Sequence, residues 1–145
     1  MKKFEFSLKK LSNYKEQVLK KEKNELASLR KQQQEYIDEK IKLINCLEQT
    51  NENFNMQRDF TSQKMAAHKY YMSSLNEQIK HCINQIELIQ KKIDEQLQAV
   101  ISATKEVNTL EKLEGKQLDE YKKAELKENE LFIEEFVSHA SLKAN

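Results

Sequence analysis

Across 145 residues the chain contains no proline and a single glycine, Gly115. Those two residues punctuate β-hairpins and loop-rich folds, so their near absence removes most ways of turning the backbone tightly. Long uninterrupted helix is what remains, and the abundant Glu, Lys, Gln, Leu and Ile suit it. Only 38% of the residues are hydrophobic and 8% aromatic, with no Trp, so a thick globular core is not expected and the length fits one folding unit over residues 1–145. Composition of this kind also fits a disordered chain, but disorder would leave the apolar residues without a spacing. Here they have one.

In the first part Phe4, Leu8, Leu11, Val18, Leu29, Tyr36, Leu43, Leu47 and Phe54 follow a 3–4 spacing with polar residues between them, which predicts a helix with one narrow apolar seam. Ser7 in the capping position, with Phe6 stapled onto Leu11, places its start near residue 7. A second run, Met72, Ile79, Ile83, Ile86, Ile93, Leu97, Val100, Val107 and Leu110, is interrupted by polar Asn76 and Gln90. A seam repeating every 3.5 residues supercoils helices so that the stripe keeps facing a partner. Between the runs, Asn51, Asn53, Asn55 and Asp59 compete for backbone hydrogen bonds, and Thr61 or Ser62 can cap a new helix. The expectation is an all-α fold, an antiparallel two-helix coiled-coil hairpin: helix over about 7–54, turn over about 55–60, helix over about 61–139. With the turn near residue 57, Cys46 and Cys82 lie too far apart along the hairpin for a disulfide. Two cysteines in such a chain are read as reduced thiols packed as small apolar groups.

The same turn sets residue 4 opposite about residue 110, so the longer second helix overhangs at the terminal end. That overhang keeps an apolar pattern through Leu113, Leu118, Tyr121, Leu126, Leu131, Phe132, Ile133, Phe136 and Val137. Each such side chain gains on the order of 1.5–3 kcal/mol by burial, so the pattern marks an interaction site, with Phe4, Phe6 and Leu8 expected nearby. A bend at Gly115 that folds the tail back, or pairing of two copies, would also cover it. Beside the main seam of the second helix runs a further stripe, Tyr71, Leu75, Cys82 and Ile89, broken by Gln78 and Gln85. It is expected to be partly exposed, either as a wide core face or as a surface for a groove-binding partner.

Other chemistry is not indicated. The net charge of +1 hides a gradient of about +4, 0 and −3 over residues 1–50, 51–100 and 101–145; the basic residues are interleaved with carboxylates, which disfavours a nucleic-acid footprint. No apolar run approaches a membrane span and the opening MKKFEFSLKK lacks a signal-peptide core, so a cytoplasmic protein is expected. His68, His81 and His139 have no His or Cys at metal-ligand spacing, no phosphate loop or nucleophile motif is present, and two paired helices offer no cleft. Neither an enzyme nor a cofactor is expected.

Several segments resemble one family. The stretch FEFSLKKLSNYKEQVLKKEKNELASLR (4–30) is similar to the N-terminus of the FliJ family, small coiled-coil proteins of the bacterial flagellar type III export apparatus. YYMSSLNEQI (70–79), TLEKLEGKQLDEY (109–121) and Glu134-Glu135-Phe136 resemble, in order, the family's aromatic-x3-Leu-x3-Ile step, its Leu-x2-Leu segment and its closing motif. The resemblance spans essentially the whole chain. It implies a coiled-coil stalk whose terminal end enters the ring of the flagellar export ATPase, and which contacts the cytoplasmic domain of the export-gate membrane protein and export chaperones at the inner face of the membrane. By position the gate contact falls on Tyr71, Leu75, Gln78 and Cys82. The ATPase contact falls on Phe4, Phe6, Leu8, Leu11, Phe132 and Phe136. The alternatives are the equivalent stalk of a virulence secretion system and a self-associating structural coiled coil.

Overall fold

In the computed structural model, which describes residues 2–144, the chain is an all-α two-helix hairpin. Helix α1 is Lys9–Met56 and helix α2 is Ser62–Ala144. No helix among the described residues is long and apolar enough to cross a membrane.

The reversal falls within a few residues of its expected place. Phe54 O accepts from Gln57 N at 3.1 Å as α1 ends. Thr61 caps α2: its hydroxyl accepts from Lys64 N at 3.1 Å and its carbonyl from Met65 N at 3.0 Å, satisfying donors that a helix start leaves unpaired. Phe54 stacks on His68 at 3.8 Å and meets Phe60 at 4.8 Å, closing the turn with aromatic contacts.

The start of α1 differs from expectation. Phe6 O accepts from Lys9 N and Leu8 O from Ser12 N, so Leu8 holds the capping position and not Ser7. Phe6 is buried but Leu11 is 42% exposed, and with Leu8 as the cap the two staple positions fall on Ser7 and Ser12 instead of Phe6 and Leu11.

Residues 21–100 form one compact unit, and residues 2–20 with 101–144 form another. In the first, Leu26, Leu29, Ile89 and Ile93 make the core, with Tyr36, Leu97 and Val100 packed against it. Leu75 and Cys82 are buried nearer the turn. Glutamines complete the interface: Gln33 Nε2 donates to Ile86 O at 3.3 Å and to Gln90 Oε1 at 2.8 Å, and Gln96 Nε2 donates to Glu22 O at 2.9 Å. In the second unit Phe6, Ser12, Ala103 and Val107 are buried. Lys15 pairs with Glu106 at 2.8 Å and Lys9 with Glu114 at 3.6 Å.

Burial in α2 follows a strict alternation of four and three residues: Met72, Leu75, Ile79, Cys82, Ile86, Ile89, Ile93, Gln96, Val100, Ala103 and Val107. The two stripes read from the sequence are therefore two rows of one seam. The expected seam had the row Met72-Ile79-Ile86-Ile93-Val100-Val107 correctly, and Leu97 packs against the core as expected, but it joined Asn76 and Ile83 to that row on the wrong side. Ile83 is 40% exposed, whereas Leu75, Cys82 and Ile89 are 4%, 3% and 5% exposed. In α1 the same alternation runs through polar Ser12, Lys15, Glu22, Gln33 and Lys40 as well as Leu26, Leu29, Tyr36 and Leu43. It leaves Leu8 and Leu11 outside.

Gly115 does not bend the chain. Helix α2 continues through it, its φ is not positive, and a Cβ placed there would meet nothing within 4 Å. The fold-back that glycine was expected to permit is absent.

Candidate docking surfaces

The arm that precedes α1 reaches farther than the sequence suggested. Phe4 packs against Tyr121 at 5.5 Å, and the Tyr121 hydroxyl donates to Lys2 O. Residue 4 was expected beside residue 110. The turn lies between Met56 and Ser62, centred about two residues later than assumed. In addition, residues 2–6 are not helical, and non-helical backbone advances up to about 3.3 Å per residue against about 1.5 Å in a helix. Residues 111–121 thus have neighbours, and the overhang begins after Tyr121 instead of Leu110.

From residue 122 to residue 143 every side chain is exposed. Phe132 and Phe136 are each 69% exposed, and Leu126, Ile133 and Val137 are 61%, 59% and 59% exposed. Isolated helices are marginal in water, and most helical stability in proteins comes from packing an apolar face. This helix presents such a face with nothing against it.

The expected ATPase-contact residues divide into three groups. Phe6 is 7% exposed and Phe4 is half-buried on Tyr121, so both work within the chain; Leu8, the cap of α1, and Leu11 in its first turn are exposed. Phe132 lies eleven residues beyond Tyr121, or roughly 16 Å along the helix. The arm and the tail phenylalanines do not form one patch.

The expected gate-contact residues divide too. Leu75 and Cys82 face the hairpin interior, which corrects the expectation of a partly exposed stripe, while Tyr71 is 46% exposed and Gln78 is exposed. Beside them a surface groove of about 400 Å³ opens between Tyr36 and Leu43 of α1 and Ser74, Gln78, His81 and Cys82 of α2, with Glu39 and Glu77 on its margin. Tyr36 and His81 meet edge-on at 6.3 Å. The sequence offered Tyr36 only as a seam residue and His81 only as a histidine without metal partners; their meeting depends on the pairing register. Groove walls of this sort supply an apolar floor with a few polar groups for orientation.

Tyr71 also contacts Cys46, with Sγ and the phenol oxygen 3.4 Å apart. That hydrogen bond, followed by the charge of the thiolate and some loss of solvent, holds the phenol above its ordinary pKa. Both cysteines are free thiols, as the register requires.

No family model, curated protein or solved structure matches this chain.

Proposed function

We propose that the chain is a non-enzymatic coupling protein of bacterial flagellar protein export, as its resemblance to the FliJ family suggests: a coiled-coil stalk between the export ATPase ring and the export gate that also engages export chaperones. The observation that carries the reading is the fully exposed stretch 122–143 of α2, with five large apolar side chains on it between 59% and 69% exposed. An extended helix end that buries nothing of its own chain suits insertion into another protein, because exposed apolar patches of this extent mark interaction sites.

Within that reading the ATPase contact rests on Phe132 and Phe136, with Leu8 and Leu11 as the exposed residues of the other end. Phe4 and Phe6 hold the arm in place and act only indirectly. The gate contact rests on Tyr71 and Gln78 at the margin of the groove, and Leu75 and Cys82 support it from beneath. The role needs no catalytic group and no cofactor, and it places the protein in the cytoplasm at the inner face of the membrane.

The test is to add the purified chain to the export ATPase of the same organism and measure hydrolysis. Stimulation by the wild type and its loss in the Phe132→Ala/Phe136→Ala variant are expected. Unchanged hydrolysis on addition, or full stimulation by the variant, refutes the coupling role.

A further inference from the structure

Beyond Tyr121 the four-three rhythm of the α2 seam lands on Ala124, Glu128, Leu131, Glu135, Ser138 and Leu142. Half of those positions are polar, so the hairpin seam does not continue into the tail. The larger apolar residues gather on another side of the helix, at Leu126, Ile133, Phe136 and Val137, with Phe132 at the border. Lys122 and Asn129 share that face.

One edge of the face carries, in chain order, Lys123, Lys127, Glu130 and Glu134, all within about 60° of one another around the helix. The edge is basic in its first half and acidic in its second. Two copies of such a helix lying antiparallel bring the same edge of each together, so the basic half of one meets the acidic half of the other. In a parallel pair that edge would meet the opposite one, and Glu130 would face Glu125.

Crossing two antiparallel tails between Glu128 and Asn129 sets Lys123 level with Glu134 and Lys127 level with Glu130 of the other copy, twice over by symmetry. In the same register Leu126 falls between Ile133 and Asn129 of the other copy, and Ile133 between its Leu126 and Lys122. That is the interleaving that knobs-into-holes packing needs. The two Asn129 side chains meet at the crossing, and an Asn pair within an apolar seam fixes register. Lys122 lies at the end of the seam, where its stem covers apolar surface and its ammonium reaches water. The remaining carboxylates do not oppose one another: Glu125 is level with Phe132, and Glu128 and Glu135 lie on the side away from the seam.

We infer that the exposed tail of α2 is covered by the tail of a second copy of this chain, running antiparallel, with the charges of one edge selecting orientation and register. The inference goes beyond the coupling role, because it concerns the protein free of an ATPase and stands or falls without one.

Sedimentation equilibrium of the full chain up to about 100 µM tests it. A monomer–dimer equilibrium is expected, and Phe132→Ala/Phe136→Ala should abolish the dimer. Lys123→Glu/Lys127→Glu makes the edge wholly acidic and Glu130→Lys/Glu134→Lys makes it wholly basic, so each variant alone should dimerise at least about tenfold more weakly at low salt. An equimolar mixture of the two should recover the wild-type affinity, since every position then faces its opposite charge. Helix content at 222 nm should be unchanged in all three variants. A chain that stays monomeric throughout, including one captured only by phosphatidylglycerol vesicles or by the export ATPase, would overturn the inference. So would a dimer that survives loss of the two phenylalanines, tighter pairing of Glu130→Lys/Glu134→Lys with itself, or a mixture no tighter than its parts.

Discussion

Leu75→Ala is the substitution on which the two readings of the second stripe disagree most. At 4% exposure Leu75 is a buried row of the α2 seam, so truncation removes its transfer free energy and leaves a void. Leu-to-Ala costs in cores are about 2–5 kcal/mol, and a site that can collapse falls at the low end. None of the described side chains in the hairpin core is large and below 2% exposed. The interface is thin, and the expected cost is about 2–3 kcal/mol. For a chain of this size that corresponds to a fall of about 5–10 °C in the melting midpoint. Thermal and urea unfolding followed at 222 nm would measure it, with Ile83→Ala as the comparison, because Ile83 is 40% exposed on the opposite border of the same row. Ile83→Ala should cost under about 1 kcal/mol. If Leu75→Ala and Ile83→Ala fell equally, or Leu75→Ala cost less than about 0.5 kcal/mol, the seam as described would be wrong and Leu75 would be a surface residue. Any loss of the proposed gate contact on changing Leu75 or Cys82 is then expected to follow from unfolding around residues 71–82.

Further outcomes are as definite. Gly115→Ala should raise stability by about 0.5–1 kcal/mol, because the position is helical with open space around it and alanine lowers the entropy of the unfolded chain; a lower melting midpoint would contradict the continuous helix. Hydrogen bonding and then charge from Glu106 hold Lys15 above its ordinary pKa of 10.5. A raised folded-state value means that the pair's contribution is complete below that pH and disappears as the pH rises through the folded value. A 13Cε NMR titration should accordingly show Lys15 titrating higher than exposed lysines and returning to them in Glu106→Gln. Finally, a thiol reagent should modify half-buried Cys46 at least about tenfold faster than Cys82, which is 3% exposed, with the difference abolished in denaturant.

Much of the architecture was legible because it depends on local chemistry. Lack of proline, the lone glycine, the Asx-rich stretch before Thr61 and the two runs of 3–4 spacing led to two helices and a turn within a few residues of those observed. The row Met72 to Val107 was legible for the same reason. Its partner row was not, since Asn76 and Ile83 on one side compete with Leu75, Cys82 and Ile89 on the other, and either set satisfies the spacing. In α1 the seam passes through Lys15, Glu22, Gln33 and Lys40, which a search for apolar residues cannot follow. Of the candidate docking residues, Phe132 and Phe136 are exposed as expected. Phe4, Phe6, Leu75 and Cys82 are instead drawn into packing within the chain.

What the residues determined by themselves is that the chain is helical, where it reverses, and that α2 is the longer helix with an apolar end. These follow from backbone propensity, capping and period, which act over a few residues. Tertiary structure decided which of two overlapping rows is buried, how far the arm reaches along α2, and hence where the overhang begins. Those outcomes depend on pairing two helices at one register, where contacts such as Gln33 with Gln90 and Phe4 with Tyr121 join residues far apart in sequence. A shift of one residue changes the rows that meet, and only the sum of such distant contacts separates one register from the next.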